Sequence, residues 1–127
     1  MGKLKINVNG SVGEGSTEGA IAGIVRNSFG CLIDGFTKTV RVVSVPQLET
    51  LALVDALEYI KKKKLGAVSV ESDCRSLVRS LTGVEDFNWD ARAPWSKCKE
   101  LLQNLLLVGL QFCPRAANGV VYWAVRA

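Results

Sequence analysis

The order of local patterns constrains this chain most: three runs of strand-forming residues separated by glycine come first, and only then do helix and strand patterns alternate. Residues 3–8 alternate, with Leu4, Ile6 and Val8 on one side and Lys5, Asn7 and Asn9 on the other, which predicts a strand ending on a polar Asn9. The glycine-rich residues 10–19 read as a turn. Residues 20–26 and about 31–41 read as two further strands joined by a tight turn at Asn27-Ser28-Phe29-Gly30. Pro46 stands where a first-turn helical proline belongs, and residues 47–63 are rich in Leu, Ala and Glu, with lysines at the C-terminal end and Gly66 as the stop. Residues 67–71 alternate again, and Ser72 or Asp73 is placed to cap a brief helix reaching about residue 82. A polar connection (86–94), a helix (95–106), a strand (108–113) and a last helical turn or two after Asn118 complete the order β-β-β-α-β-α-α-β-α. Helical crossovers join parallel strands, so the later strands must run parallel to the first. The expectation is an α/β fold: a mixed five-stranded sheet with helices on both faces, in one domain spanning residues 1–127.

Composition narrows the class. Apolar residues at 48% and charged residues at 22% exclude intrinsic disorder and coiled coil. No apolar stretch approaches the ~20 residues of a membrane span, and Met1-Gly2-Lys3-Leu4-Lys5-Ile6 has no apolar signal core, so an intracellular protein of nucleus or cytoplasm with no membrane partner is expected. The net charge of +4 is compatible with a polyanion but falls short of a dedicated basic arm. Histidine is absent, which removes Ser-His and Cys-His nucleophile pairs and every His-containing zinc site. Cys31, Cys74, Cys98 and Cys113 include no C-x-x-C pair and read as reduced core thiols. The glycine-rich stretch lacks the spacings of a nucleotide-binding loop, Lys61-Lys62-Lys63-Lys64 reads as a solvated helix end, and Trp89, Trp95 and Trp123 read as packing anchors, with base stacking as the alternative for Trp89.

Five local motifs, in order, cover nearly the whole chain. Lys5-Ile6-Asn7-Val8-Asn9-Gly10-Ser11 is similar to a first-strand "K-x-N-V-D-G-S", and Gly23-Ile24-Val25-Arg26-Asn27-Ser28-Phe29-Gly30 to a "G-x-v-x-R-d-x-x-G" hairpin. Leu48-Glu49-Thr50-Leu51-Ala52-Leu53 resembles "a-E-L-x-A-L", and Val70-Glu71-Ser72-Asp73-Cys74 resembles "v-E-S-D-s". The run from Cys113-Pro114-Arg115 to Asn118 and on to Tyr122-Trp123 follows "v-P-R-e-A-N-x-v-A-D-x". The family so described is the RNase H-like fold, in particular the RNase H domain of plant non-LTR retrotransposons and their host-encoded relatives, and the chain resembles it without a basic helical protrusion.

The resemblance implies a hydrolytic site of four carboxylates holding two Mg²⁺ ions that cleave the RNA strand of a hybrid. Carried over by position, Glu49 and Asp73 stand as metal ligands, whereas Asn9 and Tyr122 occupy the two remaining catalytic positions without a carboxylate. Two of four ligands are missing, so Mg²⁺ binding is expected to be weak or lost. Each residue also has a plain structural reading: Glu49 compensating the helix dipole, Asp73 with Ser72 capping a helix, and Asn9-Gly10 forming a turn. The functional expectation is a catalytically impaired domain acting as a nucleic-acid-binding or interaction module, with weak affinity for RNA/DNA hybrid or another nucleic acid, or for a protein partner. An active Mg²⁺-dependent hybrid endoribonuclease and a domesticated protein-interaction domain are the alternatives. Asn9, Glu49 and Asp73 are expected to meet at one solvent-accessible point.

Overall fold

A computed structural model describes residues 3–114, apart from 14, 16, 42, 43, 84, 85 and 88, with Trp89 described in its backbone alone. Five strands, β1 (Leu4–Val12), β2 (Glu18–Arg26), β3 (Leu32–Arg41), β4 (Val68–Ser72) and β5 (Val108–Phe112), form one sheet in the order β3-β2-β1-β4-β5. β1 pairs antiparallel with β2 and parallel with β4, and β4 pairs parallel with β5. This is the mixed topology expected from the order of elements. A helix after Asn118, and with it any helix on the second face of the sheet, lies outside the described residues.

β1 is longer than its alternation suggested. Its ladder with β2 runs through Gly10↔Ile21 to Val12↔Gly19, so Gly10 lies in a strand rather than a turn. A Cβ on Gly10 would stand 2.6 Å from Leu48 Cγ and 3.1 Å from Glu49 Oε1, so the missing side chain is what lets the following helix approach the strand.

That helix, α1 (Val45–Lys63), starts where Ser44 accepts a hydrogen bond from Gln47 N (3.2 Å). Its buried stripe of Leu48, Ala52, Leu53, Ala56, Leu57 and Ile60 recurs at helical spacing. It ends at Lys64 rather than Gly66. Lys64 takes the left-handed conformation (φ 54°), Leu65 N donates to Ile60 O (3.1 Å) and Lys64 N to Lys61 O (3.2 Å), a doubly hydrogen-bonded close usually built around glycine. Lys61, Lys62 and Lys63 in the last turn complement the helix dipole.

The second helix, α2 (Arg75–Leu81), begins at Cys74 with no side-chain cap, so neither Ser72 nor Asp73 caps it; Ser72 Oγ instead accepts from Cys74 N (3.1 Å). α3 (Arg92–Asn104) follows a single 3₁₀ turn at Trp89–Ala91 and starts earlier than expected. Pro94 falls in its first turn, where no intrahelical amide is lost. One hydrophobic cluster joins Ile6, Val8, Ile21, Val25, Val68 and Val70 of the sheet to Leu48, Leu53, Leu57 and Ile60 of α1, Leu77 of α2 and Leu101 of α3.

The four cysteines are free. Cys98 and Cys113 are buried and Cys74 is half-buried, whereas Cys31 is exposed in the β2–β3 turn and is not a core thiol. Burial pushes the Cys98 thiol up to about 12. A thiol reagent is expected to modify Cys31 first and Cys98 last in the native protein, and all four after unfolding without reductant; fewer than four would reveal a disulfide.

At the sheet edge, Tyr59 of α1 donates its hydroxyl to Asp34 Oδ2 and stacks on Phe36 with ring centroids 5.5 Å apart. This hydrogen bond, with a second from Gly35 N, holds the Asp34 carboxyl below its ordinary 3.8. The ionised form is therefore favoured by folding, and the stabilisation is present above 3.8 and lost as pH falls through the lower native value. Tyr59→Phe is expected to be less stable than the parent at neutral pH, with the gap closing as pH drops below the ordinary Asp34 value. Urea denaturation across that range checks it, and a gap that persists in acid would remove Asp34 from the account.

Candidate functional site

Parallel pairing of β1 with β4 brings their C-terminal ends side by side. The register Asn7↔Glu71 and Val8↔Ser72 carries Asn9 toward Asp73, which directly follows β4. Glu49 comes from α1 one turn beyond its start; it is not in the first turn and is buried, so dipole compensation does not account for it. Gly10 N is the meeting point. It donates both to Asn9 Oδ1 (2.8 Å) and to Glu49 Oε1 (3.2 Å). The thiol of Cys74, next to Asp73, is pushed up by burial first and further by the negative charges of Glu49 and Asp73. Asn9 and Glu49 thus meet at the end of the sheet where the register also places Asp73, and Tyr122 lies outside the described residues.

Two features depart from expectation. Asn9 is 0% exposed and Glu49 is 5% exposed, so their contact is buried, while Asp73 is half-buried. Asn9 also presents the wrong end of its amide for a metal. Its Oδ1 is committed to Gly10 N, and its buried Nδ2 has no hydrogen-bond partner among the described residues. Reversing the amide would break the Gly10 bond and place two N–H groups against a backbone N–H. A hard dication needs anionic oxygen at this position, and here a hydrogen-bond donor occupies it. Among the described residues no three His, Cys, Asp or Glu side chains come together in a way that could hold a metal ion. The described residues do not by themselves supply a two-Mg²⁺ cluster.

The flanks are occupied by side chains that the motifs left without a role. Glu71 accepts from Asn7 Nδ2 (2.8 Å) and pairs with Lys5 (3.5 Å), which commits it elsewhere than the Asn9–Glu49 contact. Arg75, the first residue of α2, lies with its guanidinium 4.9 Å from the centre of the Phe112 ring at the end of β5. The two alternating strands could have revealed the Asn7–Glu71 pairing, since both residues lie on the polar side of their strands. The shared Gly10 amide and the Arg75–Phe112 contact have no signal in the local sequence.

A five-stranded mixed sheet in this order, with a long helix over β1 and its acidic residue at the paired ends of β1 and β4, is the RNase H-like fold. The chain belongs to the reverse transcriptase-like family, which it matches over residues 7–127. No curated protein sequence matches it. Among solved structures it is similar to RNase H1 from the halophilic archaeon Halobacterium salinarum NRC-1, at 22% identity and a TM-score of 0.86, over 98% of this chain and 94% of that one. It is equally similar to LC11-RNase H1 in complex with an RNA/DNA hybrid, at 18% identity and 0.87, over 98% and 94%. It also matches prototype foamy virus protease-reverse transcriptase at 12% identity and 0.73, over 98% of this chain but only 20% of that protein. At these identities the likeness is one of fold.

Proposed function

We propose that the chain is a catalytically impaired RNase H-type domain that binds nucleic acid, an RNA/DNA hybrid first, without the two-metal hydrolysis of its family. The observation that carries this reading is Asn9: where the family pattern has a carboxylate stands a buried amide whose oxygen is taken by Gly10 and whose Nδ2 has no hydrogen-bond partner among the described residues. Glu49 and Asp73 are the metal ligands that remain in this reading, and Tyr122 stands at the second position that has lost its carboxylate. The five ordered motifs also support descent from the plant non-LTR-retrotransposon branch.

Two features favour binding to nucleic acid. LC11-RNase H1, of the same fold, was solved with an RNA/DNA hybrid bound. In this chain the guanidinium of Arg75, two residues after Asp73, lies over Phe112 and offers a cation for a phosphate next to an aromatic face.

The test is fluorescence anisotropy on a defined hybrid, with and without Mg²⁺ or Mn²⁺, beside gel-based cleavage. The expected result is binding that does not need metal, weakens as salt rises and falls in Arg75→Glu, with no cleavage. Robust metal-dependent cleavage would establish an active endoribonuclease instead, and failure to bind hybrid at low salt would leave the protein-interaction reading.

A further inference from the structure

The opposite end of the sheet carries a second surface. The loop before β4 and the loop before β5 enclose a cleft of about 330 Å³ lined by Leu65, Gly66 and residues 104–108. Its lip is exposed leucine: Leu106 is 86% and Leu107 68% accessible to solvent. These side chains are held out by a fixed backbone, because Val68 N donates to Leu107 O (3.4 Å), Val108 N to Leu105 O (3.1 Å) and Leu105 N to Leu101 O (3.0 Å). Two adjacent leucines pinned in water are costly to keep unless something covers them.

Charge indicates what covers them. The doubly hydrogen-bonded end of α1 places Lys61, Lys62, Lys63 and Lys64 in the chain directly before Leu65, which lines the cleft. All four are exposed. Lys63 lies over the Tyr59 ring (5.9 Å), and among the described residues Lys61, Lys62 and Lys64 have no carboxylate partner. A recessed apolar floor beside unpaired cations complements a peptide bearing a bulky apolar side chain among carboxylates. A nucleic acid would leave the leucines bare.

We propose that this cleft is a docking site for an acidic protein segment that inserts an apolar side chain between Leu65 and Leu107 while its carboxylates pair with Lys61, Lys62 and Lys64. β4 separates the cleft from Asp73 by roughly 16 Å of strand, so docking leaves the nucleic-acid end open. The inference stands independently of hybrid binding.

The test is an amide NMR titration of the whole chain with a short glutamate-rich peptide carrying one leucine and one phenylalanine. The controls are the same peptide with lysine for glutamate, and vesicles of phosphatidylcholine and phosphatidylserine in equal parts. The expected result is a set of shifts confined to residues 61–66 and 104–108 with the acidic peptide alone. Affinity is expected to drop about tenfold in Leu106→Ser/Leu107→Ser and in Lys61→Glu/Lys62→Glu, both pairs being exposed and compatible with folding. Shifts elsewhere or none, equal binding by either paired variant, equal binding of the lysine peptide, or shifts in these residues with vesicles would each overturn the proposal.

Discussion

Asn9→Asp combined with Tyr122→Asp is expected to bind Mg²⁺, while the parent and either single variant bind little or none. The native Asn9 amide spends its oxygen on Gly10 N and leaves a buried Nδ2 with no hydrogen-bond partner among the described residues. An aspartate there keeps an acceptor for Gly10 N and offers a second anionic oxygen in place of the donor. Two ions need more charge than Glu49, Asp73 and one added carboxylate provide, so the two substitutions act on one cluster and their effects are strongly non-additive. Without metal, the added buried charge beside Glu49 is expected to lower the melting temperature, and Mg²⁺ is expected to recover it in the double variant. Calorimetric Mg²⁺ titration and thermal melts of all four proteins check this. A double variant indifferent to Mg²⁺ in both measurements would show that Tyr122 does not occupy the family's fourth position.

Gly10→Ala is expected to destabilise the protein by about 2 kcal/mol, within the usual range for overpacking a tight contact. The new methyl would meet Leu48 Cγ at 2.6 Å, and Leu48 is a buried member of the central cluster with nowhere to retreat. Leu48→Ala alone is expected to cost about 3 kcal/mol as a cavity. The two changes together should cost clearly less than their sum, because the shortened side chain makes room for the methyl. Denaturant unfolding of the parent, both single variants and the double variant measures the coupling. Strict additivity would mean that the strand and helix are not held apart by this one contact.

The parts of the fold that were legible in the sequence were those written in short-range periodicity. The alternation of Leu4, Ile6 and Val8 against Lys5 and Asn7 marks β1, and the stripe from Leu48 to Ile60 marks α1. Boundaries set by tertiary pairing were not legible. β1 continues to Val12 because β2 supplies a partner through Gly19, and α1 stops at Lys64 because two backbone hydrogen bonds outweigh the cost of a left-handed lysine. The site divides in the same way. Asn9, Glu49 and Asp73 could be placed from local motifs, whereas the burial of Asn9, the sharing of one amide by Asn9 and Glu49, and the commitment of Glu71 to Asn7 and Lys5 depend on residues dozens of positions apart.

The central cluster takes none of its members from Asn9, Glu49 or Asp73. Folding and chemistry are thus separate inheritances in this chain. On the proposed reading, a lineage released from hydrolysis can exchange a carboxylate for an amide or a phenol and still hand on an intact scaffold, because the apolar cluster does not draw on those positions. The ends of such a sheet then become ground on which recognition can evolve without rebuilding the interior.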